Sequence, residues 1–319
     1  MFRPAARRAI HAASTALVLS AVTTAPGAAE TKVVVSIKPV HALVARVMEG
    51  LGTPALLVSG AASPHTYAMK PSDARALNNA DIFFRVSEQT EPFTGKVVVS
   101  LPVTVLVVTL AEAPGLTLFD KRTGETFEAH VHGGHDDHDY HHEAGAVRDG
   151  HVWLDPENAK AMAGEIVKVL AQAAPQDAEK LQANAARLVA DIDKLETEIG
   201  RALEPVRGRP FVVFHDATQY FERRFGLNAV GSITVSPDVQ PSAKRLTEIR
   251  AKISKLDAGC VFAEPSFSPA LVSTVTEGKH ARSGTLDPEG LAIKQGPNAY
   301  FELMRNLTAG LKACLHQGS

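Results

Sequence analysis

The 319-residue chain lacks the features that mark several common classes of protein. Its formal net charge of −2 leaves no large basic surface of the kind that binds nucleic-acid phosphates. Beyond residue 29, no apolar run approaches the roughly 20 residues that a membrane-spanning helix requires. GXSXG, HEXXH, Walker and dinucleotide-binding motifs are also missing. These absences argue against nucleic-acid binding, against a membrane-spanning protein and against several familiar types of enzyme.

Cysteine is scarce as well, because the chain has only Cys260 and Cys314. An even pair in an exported protein is a candidate disulfide, and the alternative is two buried free thiols. A disulfide between them would stabilise the fold by about 4 kcal/mol in the chain-entropy model. We favour the disulfide because the N-terminus indicates export to an oxidising compartment.

Residues 1–29 have the composition of a signal peptide. Three arginines lie near its start, residues 9–25 are mostly small and apolar, and Gly27 and Ala29 are the small residues that precede a cleavage site. A buried N-terminal helix is the alternative, but the basic flank fits that structure poorly. Because no cysteine lies near the cleavage site, we predict a periplasmic protein without a lipid anchor.

The rest of the chain alternates short apolar runs with amphipathic stretches, which predicts strands that alternate with helices. The predicted strands are residues 32–37, 55–58, 81–86, 104–108, 210–214, 227–233, 259–264 and 281–286. Strands separated by helices form parallel sheets with right-handed crossovers. We therefore predict an α/β fold with two lobes, each a mainly parallel sheet flanked by helices, and a cleft between the lobes.

A long helical stretch, from Gln176 to about Leu203, separates the two halves. Its apolar residues recur three, four or seven positions apart, as in a helix with one buried stripe. A coiled coil has similar spacing, but the stretch holds only about four heptads and has no evident partner helix. We interpret it as one rigid helix that joins the lobes. The predicted regions are a signal peptide at 1–29, an N-terminal lobe at 30–155, linking helices at 156–205 and a C-terminal lobe at 206–319.

One segment of low complexity, residues 130–142, is rich in histidine and acidic residues. Its histidines are His130, His132, His135, His138, His141 and His142. The segment is too polar and glycine-rich to pack as core, and flexible ligands lose entropy when a metal orders them. We predict weak metal binding that fades below about pH 6. The alternative is a solvated loop without a specific role.

Three other histidines and one aspartate are candidates for a tighter metal site. His65 lies in the loop after the second predicted strand, His215 follows the fifth, and Asp287 follows the eighth. Parallel α/β sheets bind ligands beyond the carboxyl ends of their strands. With His151, in the loop before the linking helices, these residues supply three imidazoles and one carboxylate, a four-coordinate set that suits Zn²⁺. Singly, each histidine is more often structural and Asp287 is a common turn residue, but together the four favour a metal site in the cleft. We also predict that His41 lines this cleft.

Six motifs, spread from Lys32 towards the C-terminus, resemble in order those of the periplasmic zinc-binding proteins of high-affinity ABC importers. They are IKPVHALVARVM, GAASPHTYAMKPSDARALNNAD, DGHVWLDPENAK, FHDATQYFERRFGL, CVFAEPSFSP and LDPEG. The resemblance implies two α/β lobes joined by one long rigid helix, with zinc in the cleft. It also implies the ligands His65, His151 and His215, with Asp287, another acidic residue or water as the fourth.

The same resemblance implies a cargo and partners. We expect a monomer that delivers Zn²⁺ to a membrane permease driven by a cytoplasmic ATPase. Members commonly carry a His/acid loop similar to residues 130–142, and often a disulfide equivalent to Cys260–Cys314. Related manganese binders carry Glu where this chain has His215, and a third imidazole favours Zn²⁺ over the oxygen-preferring Mn²⁺.

Two other functions fit parts of the pattern. A manganese- or iron-binding importer subunit would share the fold, but His215 argues against it. An exported zinc hydrolase would need an open coordination position and a general base, whereas the predicted ligand set fills all four positions. We therefore expect a binding protein and not an enzyme.

Overall fold

The structure is a computed structural model that describes residues 31–122, 127, 147–234 and 240–316. The predicted signal peptide, residues 1–29, and the histidine-rich segment, residues 130–142, lie outside the described residues. Across the described ranges, no helix combines the length and the apolar character that crossing a bilayer requires.

Four short parallel strands form the sheet of the first lobe as far as the structure describes it. They are β1 (Val33–Val35), β2 (Ala55–Leu56), β3 (Ile82–Arg85) and β4 (Leu106–Thr109), in the order β2-β1-β3-β4. The helices are α1 (Lys38–Val47), α2 (Pro71–Asn78) and α3 (Phe93–Val98). Strand β1 is apolar throughout because it is buried on both faces of the sheet. Pro39 and Pro71 lie in the first turns of their helices, where the missing N–H leaves no bond unmade.

Two linking helices follow, α4 (Pro156–Ala173) and α5 (Ala178–Leu203). With 26 residues, α5 is about 39 Å long. Its apolar stripe is buried, and the helix packs against α1, α4 and the C-terminal helix. The stripe therefore belongs to the core of this protein, which accounts for its spacing without a coiled coil.

The second lobe repeats the connectivity of the first. Its strands are β5 (Pro210–His215), β6 (Asn228–Thr234), β7 (Cys260–Ala263) and β8 (Arg282–Thr285), all parallel and in the order β6-β5-β7-β8. Its helices are α6 (Gln219–Phe225), α7 (Ala243–Lys255), α8 (Ala270–Thr276) and α9 (Ala299–Leu315). The predicted fold of two parallel α/β lobes with a long helix between them is confirmed. Cys260 and Cys314 form a disulfide that ties β7 to α9, with Cα atoms 6.1 Å apart.

A continuous apolar core extends through both lobes. One buried cluster contains residues of β1 and α1, of the linking helices α4 and α5, and of β5 and α9. Close-packed interiors resist deformation, so this shared core restricts how far the lobes can separate. The limits of the regions, at residues 155 and 205, stay predictions.

Candidate metal centre

Three histidines from separate parts of the chain converge at the carboxyl edges of the two sheets. His65 comes from the loop after β2, His151 precedes the turn that leads into α4, and His215 is the last residue of β5. The Nε2 atoms of His65 and His151 are 3.3 Å apart, and those of His151 and His215 are 3.4 Å apart. Two nitrogens that ligate one tetrahedral zinc ion at 2.0 to 2.1 Å are themselves about 3.3 Å apart. The spacing therefore fits ligands of a single ion.

Glu289 is the fourth member of a cluster of possible metal ligands, the metal group, which comprises His65, His151, His215 and Glu289. One ligand atom from each of His65, His151, His215 and Glu289 lies within 4.8 Å of the others. The Oε1 atom of Glu289 is 3.2 Å from Nε2 of His65 and accepts a hydrogen bond of 3.2 Å from the Ser63 hydroxyl. Burial disfavours the charge of Glu289, yet the hydrogen bond from His65 and the nearby imidazoles hold the pKa of this carboxyl below its ordinary value. The fourth position thus has an anionic oxygen aimed at the three nitrogens.

The fourth ligand was predicted as Asp287, another acidic residue or water, and the structure does not bring Asp287 to the three histidines. The Asp287 carboxylate accepts hydrogen bonds from the backbone N–H groups of Leu291 and Ala292, both at 2.9 Å. It therefore closes the turn after β8 and does not belong to the metal group. Glu289, two residues further along the same turn, is the acidic residue that lies beside the three histidines.

A buried carboxylate orients His151. Oδ1 of Asp149 accepts hydrogen bonds from Nδ1 of His151 at 2.7 Å and from its backbone N–H at 3.0 Å. Burial opposes the charge of Asp149, but the charge and hydrogen bonds of His151 hold the pKa of this carboxyl below its ordinary value. Donation from Nδ1 leaves the lone pair of Nε2 directed at the metal group, an arrangement typical of metal-ligating histidines.

His215 has the same kind of support. Oε1 of Glu264 accepts hydrogen bonds from Nδ1 of His215 at 2.5 Å and from its backbone N–H at 3.1 Å. Burial acts to lower the pKa of this imidazole, but the charge and hydrogen bond of Glu264, together with the charges of Glu289 and Asp216, outweigh burial and raise the pKa. Glu264 follows β7, the neighbour of β5 in the sheet, so adjacent strand ends supply the ligand and its support.

His65 lacks such a partner. Among the described residues, no carboxylate contacts its Nδ1 atom, and burial lowers the pKa of the imidazole. Its side chain is 11% exposed, against 6% for His151 and 2% for His215. His65 is therefore the ligand candidate that its surroundings constrain least.

Helix α6 holds the segment that precedes His151. Tyr220 donates to the backbone carbonyl of Asp149 at 3.0 Å, and the Gln219 amide donates to the Asp149 carboxylate at 3.3 Å. Asp120 and Arg148 form an antiparallel bridge beside this segment, together with a salt bridge of 2.8 Å. The positions on either side of residues 123–146 are therefore joined close to the metal group.

His41 does not join the group, although it was predicted to line the cleft. Its Nε2 atom contacts the carbonyl oxygen of Pro54 at 3.0 Å, and its side chain is buried. Burial lowers the pKa of this imidazole. His41 therefore has a structural role beneath the loop that leads to β2.

Comparison with known proteins identifies the family. A sequence model of ZnuA, described as zinc-uptake complex component A, periplasmic, matches residues 33–314. The chain belongs to this family. ZnuA of Brucella abortus, named as a high-affinity zinc uptake system protein, is 45% identical over 304 residues, which cover 89% of this chain and 91% of that protein.

Solved structures extend the comparison. A crystal structure of ZnuA has a TM-score of 0.71 at 25% identity and covers 90% of this chain and 98% of its own. The protein FpvC of Pseudomonas aeruginosa, solved with Mn²⁺, has a TM-score of 0.75 at 18% identity. The match covers 91% of this chain and 100% of the FpvC chain. The second likeness concerns the fold alone. Because a protein solved with Mn²⁺ shares this fold, the fold alone does not identify the metal.

Three acidic residues of the site were missed in the sequence. Glu264 stands directly after an apolar strand, so the same strand-end rule that identified His215 could have found it. Asp149 lies two residues before His151, and Glu289 lies two residues after Asp287, where no sequence pattern separates a ligand from a turn residue. For Asp149 and Glu289, only the contacts in the folded protein distinguish the supporting residue and the possible ligand from ordinary turn residues.

Proposed function

We propose that this chain captures one Zn²⁺ ion with His65, His151, His215 and Glu289 and delivers it to the membrane permease of an ABC importer. A cytoplasmic ATPase drives the permease. The observation that carries this proposal is the convergence of three imidazole nitrogens and one carboxylate oxygen within 4.8 Å of one another. Membership of a periplasmic zinc-uptake family supports the cargo, the compartment and the partners.

The donor set favours zinc over manganese or iron. Imidazole nitrogen suits Zn²⁺, whereas Mn²⁺ prefers sites made mainly of oxygen ligands. Three of the four donors are nitrogens, and two of these imidazoles donate from Nδ1 to carboxylates, which orients their Nε2 atoms towards the metal.

The same donor set favours binding over catalysis. A catalytic zinc site usually has three protein ligands and an open position for water. Here four side chains supply four donors, so a tetrahedral zinc ion would have no coordination position left for the water that hydrolysis requires. The protein is therefore a carrier of the ion and not an enzyme.

Capture and release follow from how the ligands are held. Neutral imidazoles bind metal, so uptake releases protons from any protonated histidine. The shared core restricts lobe separation, which leaves small shifts of the His65 loop and the Glu289 turn as the route of release.

Export completes the proposal. Residues 1–29 direct the chain to the periplasm and are removed, and the mature protein acts as a monomer. The Cys260–Cys314 disulfide suits that oxidising compartment.

Isothermal titration calorimetry of the mature protein tests the proposal. We expect one tight Zn²⁺ site whose affinity collapses in His215→Ala and is unchanged in His280→Ala, an exposed histidine far along the chain. Competition between Zn²⁺ and Mn²⁺ at equal concentration should leave zinc bound. Tight zinc binding by His215→Ala would contradict the ligand set, and a preference for Mn²⁺ would assign the protein to manganese uptake.

A further inference from the structure

A buried lysine reaches from the first lobe to the turn that carries Glu289. Lys38 is the first residue of α1 and only 7% exposed. Its ammonium nitrogen donates to the carbonyl oxygens of Gly290 at 3.0 Å, Leu291 at 2.7 Å and Ile293 at 2.9 Å. An ammonium group has three N–H donors, so these three contacts use its full capacity.

The Glu289 turn is closed from two sides. Asp287 accepts the N–H groups of Leu291 and Ala292, and Lys38 donates to carbonyls of the same segment. Gly290 has a φ of +69°, a backbone conformation that residues other than glycine rarely adopt. The turn therefore bends sharply just after Glu289, and its carbonyl groups point inward at one cation.

A further contact joins the same turn to the first half of the chain. The Trp153 indole N–H donates to the carbonyl oxygen of Pro288 at 3.0 Å, and Trp153 is fully buried two residues after His151. The residues on both sides of Glu289 are thus held by groups that precede α4 in the chain. Within the second lobe itself, Asp287 holds the turn but does not determine where Glu289 lies relative to His65.

We infer that Lys38 is a positioning residue that makes Glu289 available as the fourth zinc ligand. This inference rests on the proposed function. The ammonium group gathers three carbonyls of the second lobe, and the bend that results directs the Glu289 carboxylate at the three histidines. Because Lys38 belongs to the first lobe, Glu289 is in place only while the two lobes are seated against each other. A small separation would break these hydrogen bonds and withdraw the carboxylate, which leaves zinc on three imidazoles and easier to release.

A double-mutant cycle tests the inference in the mature protein. Lys38→Met should weaken Zn²⁺ binding by about 10- to 100-fold, as is typical when a group that supports a metal ligand is lost. Glu289→Gln should have a similar effect. If Lys38 acts through Glu289, Lys38→Met should change affinity less than about twofold in the Glu289→Gln background. Equal losses in both backgrounds, or no loss in the wild-type background, would overturn the inference.

Spectroscopy gives a readout that a general loss of stability would not change. Co²⁺ in a four-coordinate site absorbs visible light strongly, and absorption weakens when water enters and raises the coordination number. Lys38→Met should reduce the Co²⁺ absorption to the level of Glu289→Gln. A wild-type spectrum in Lys38→Met would count against the proposed role.

Two further variants keep the test decisive. Lys180→Met is the matched control, because Lys180 also donates to a backbone carbonyl, that of Gly50 at 2.6 Å, but on the exposed side of α5; its zinc affinity should be unchanged. If Lys38→Met does not fold, Lys38→Gln retains polar donors and is judged by the same dependence on Glu289. Failure of the proposed function would appear separately, as tight zinc binding by His215→Ala.

Discussion

The two sides of the metal group are built differently. His151 and His215 each donate to a buried carboxylate, Asp149 or Glu264, and each is anchored by a second hydrogen bond from its own backbone N–H. His65 lies in a loop and has no carboxylate on Nδ1 among the described residues. The group therefore has a rigid half and a looser half. In the function proposed above, the rigid half determines where zinc binds, and zinc enters and leaves through the looser half.

Glu289 belongs to the looser half for a different reason. Its position depends on a turn that contacts Lys38 from the other lobe, whereas Asp149 and Glu264 contact their histidines directly. The carboxylates of the rigid half contact their histidines directly, and α6 of the second lobe also holds the Asp149 segment. Glu289 instead lies on a turn that Lys38 of the first lobe holds.

Removing a ligand from each half should give the largest difference. His151→Ala deletes one of the three proposed nitrogen donors, the one that Asp149 orients. We expect a loss of zinc affinity of about a hundredfold or more, or about 2.8 kcal/mol of binding free energy, since 1.4 kcal/mol corresponds to tenfold. The loss in His65→Ala should be about tenfold smaller.

Competition with a chromogenic zinc chelator would measure both variants, with His280→Ala as the control. If His65→Ala lost as much zinc affinity as His151→Ala, the two halves would contribute equally to zinc binding, which would contradict a rigid and a looser half.

Removing the support of a ligand should have an intermediate effect. Glu264→Gln retains the shape of the side chain but removes the charge that makes His215 a better donor to the metal. We expect zinc binding to weaken about 10- to 100-fold. Glu277→Gln, at an exposed position, is the matched control and should bind as the unchanged protein does. Unaltered binding by Glu264→Gln would remove the distinction between supported and unsupported histidines.

Glu264→Gln should also change how the free energy of unfolding of the metal-free protein depends on pH. In the folded state burial acts to lower the pKa of His215, but Glu264, together with Glu289 and Asp216, raises the pKa above its ordinary value of 6.5. The ion pair therefore stabilises the fold fully below pH 6.5, and this contribution is lost as the pH rises through the folded pKa. Glu264→Gln should lower the free energy of unfolding by about 1.5 kcal/mol or more at pH 5.5, the value of a hydrogen bond to a charged group.

The destabilisation should be smaller at pH 8.5, because a rising pH favours the neutral form of His215 and so weakens its charged pair with Glu264. Chemical unfolding at the two pH values would measure it, and an effect of the same size at both would contradict the charged pair.

Deleting residues 130–142 should have the smallest effect on the tight site. The antiparallel bridge between Asp120 and Arg148 and the Lys121–Val147 hydrogen bond lie outside the deletion. We expect fewer weakly bound zinc ions per protein and an unchanged affinity at the tight site, measured by calorimetry. A large loss at the tight site would mean that the histidine-rich segment supplies part of it.

Most of the fold could be predicted because it depends on local patterns. Apolar runs identified all eight strands that the structure describes, and the helical stripe of α5 was found over almost its full length. Helix α3 was missed because its six residues, which include Gly95 and end in two valines, carry no helical periodicity. Its neighbours in the folded protein determine its conformation.

By itself, the sequence determined the alternation of strands and helices, the long linking helix and the three histidines near the sheet edges. These features follow from hydrophobic spacing and from the rule that ligands gather beyond the ends of parallel strands. Only the tertiary structure decided that Glu289 and not Asp287 faces the histidines, and that Asp149 and Glu264 support them. The reason is that a carboxylate is oriented by contacts that can come from anywhere in the chain, as between Lys38 and Leu291, which are 253 positions apart.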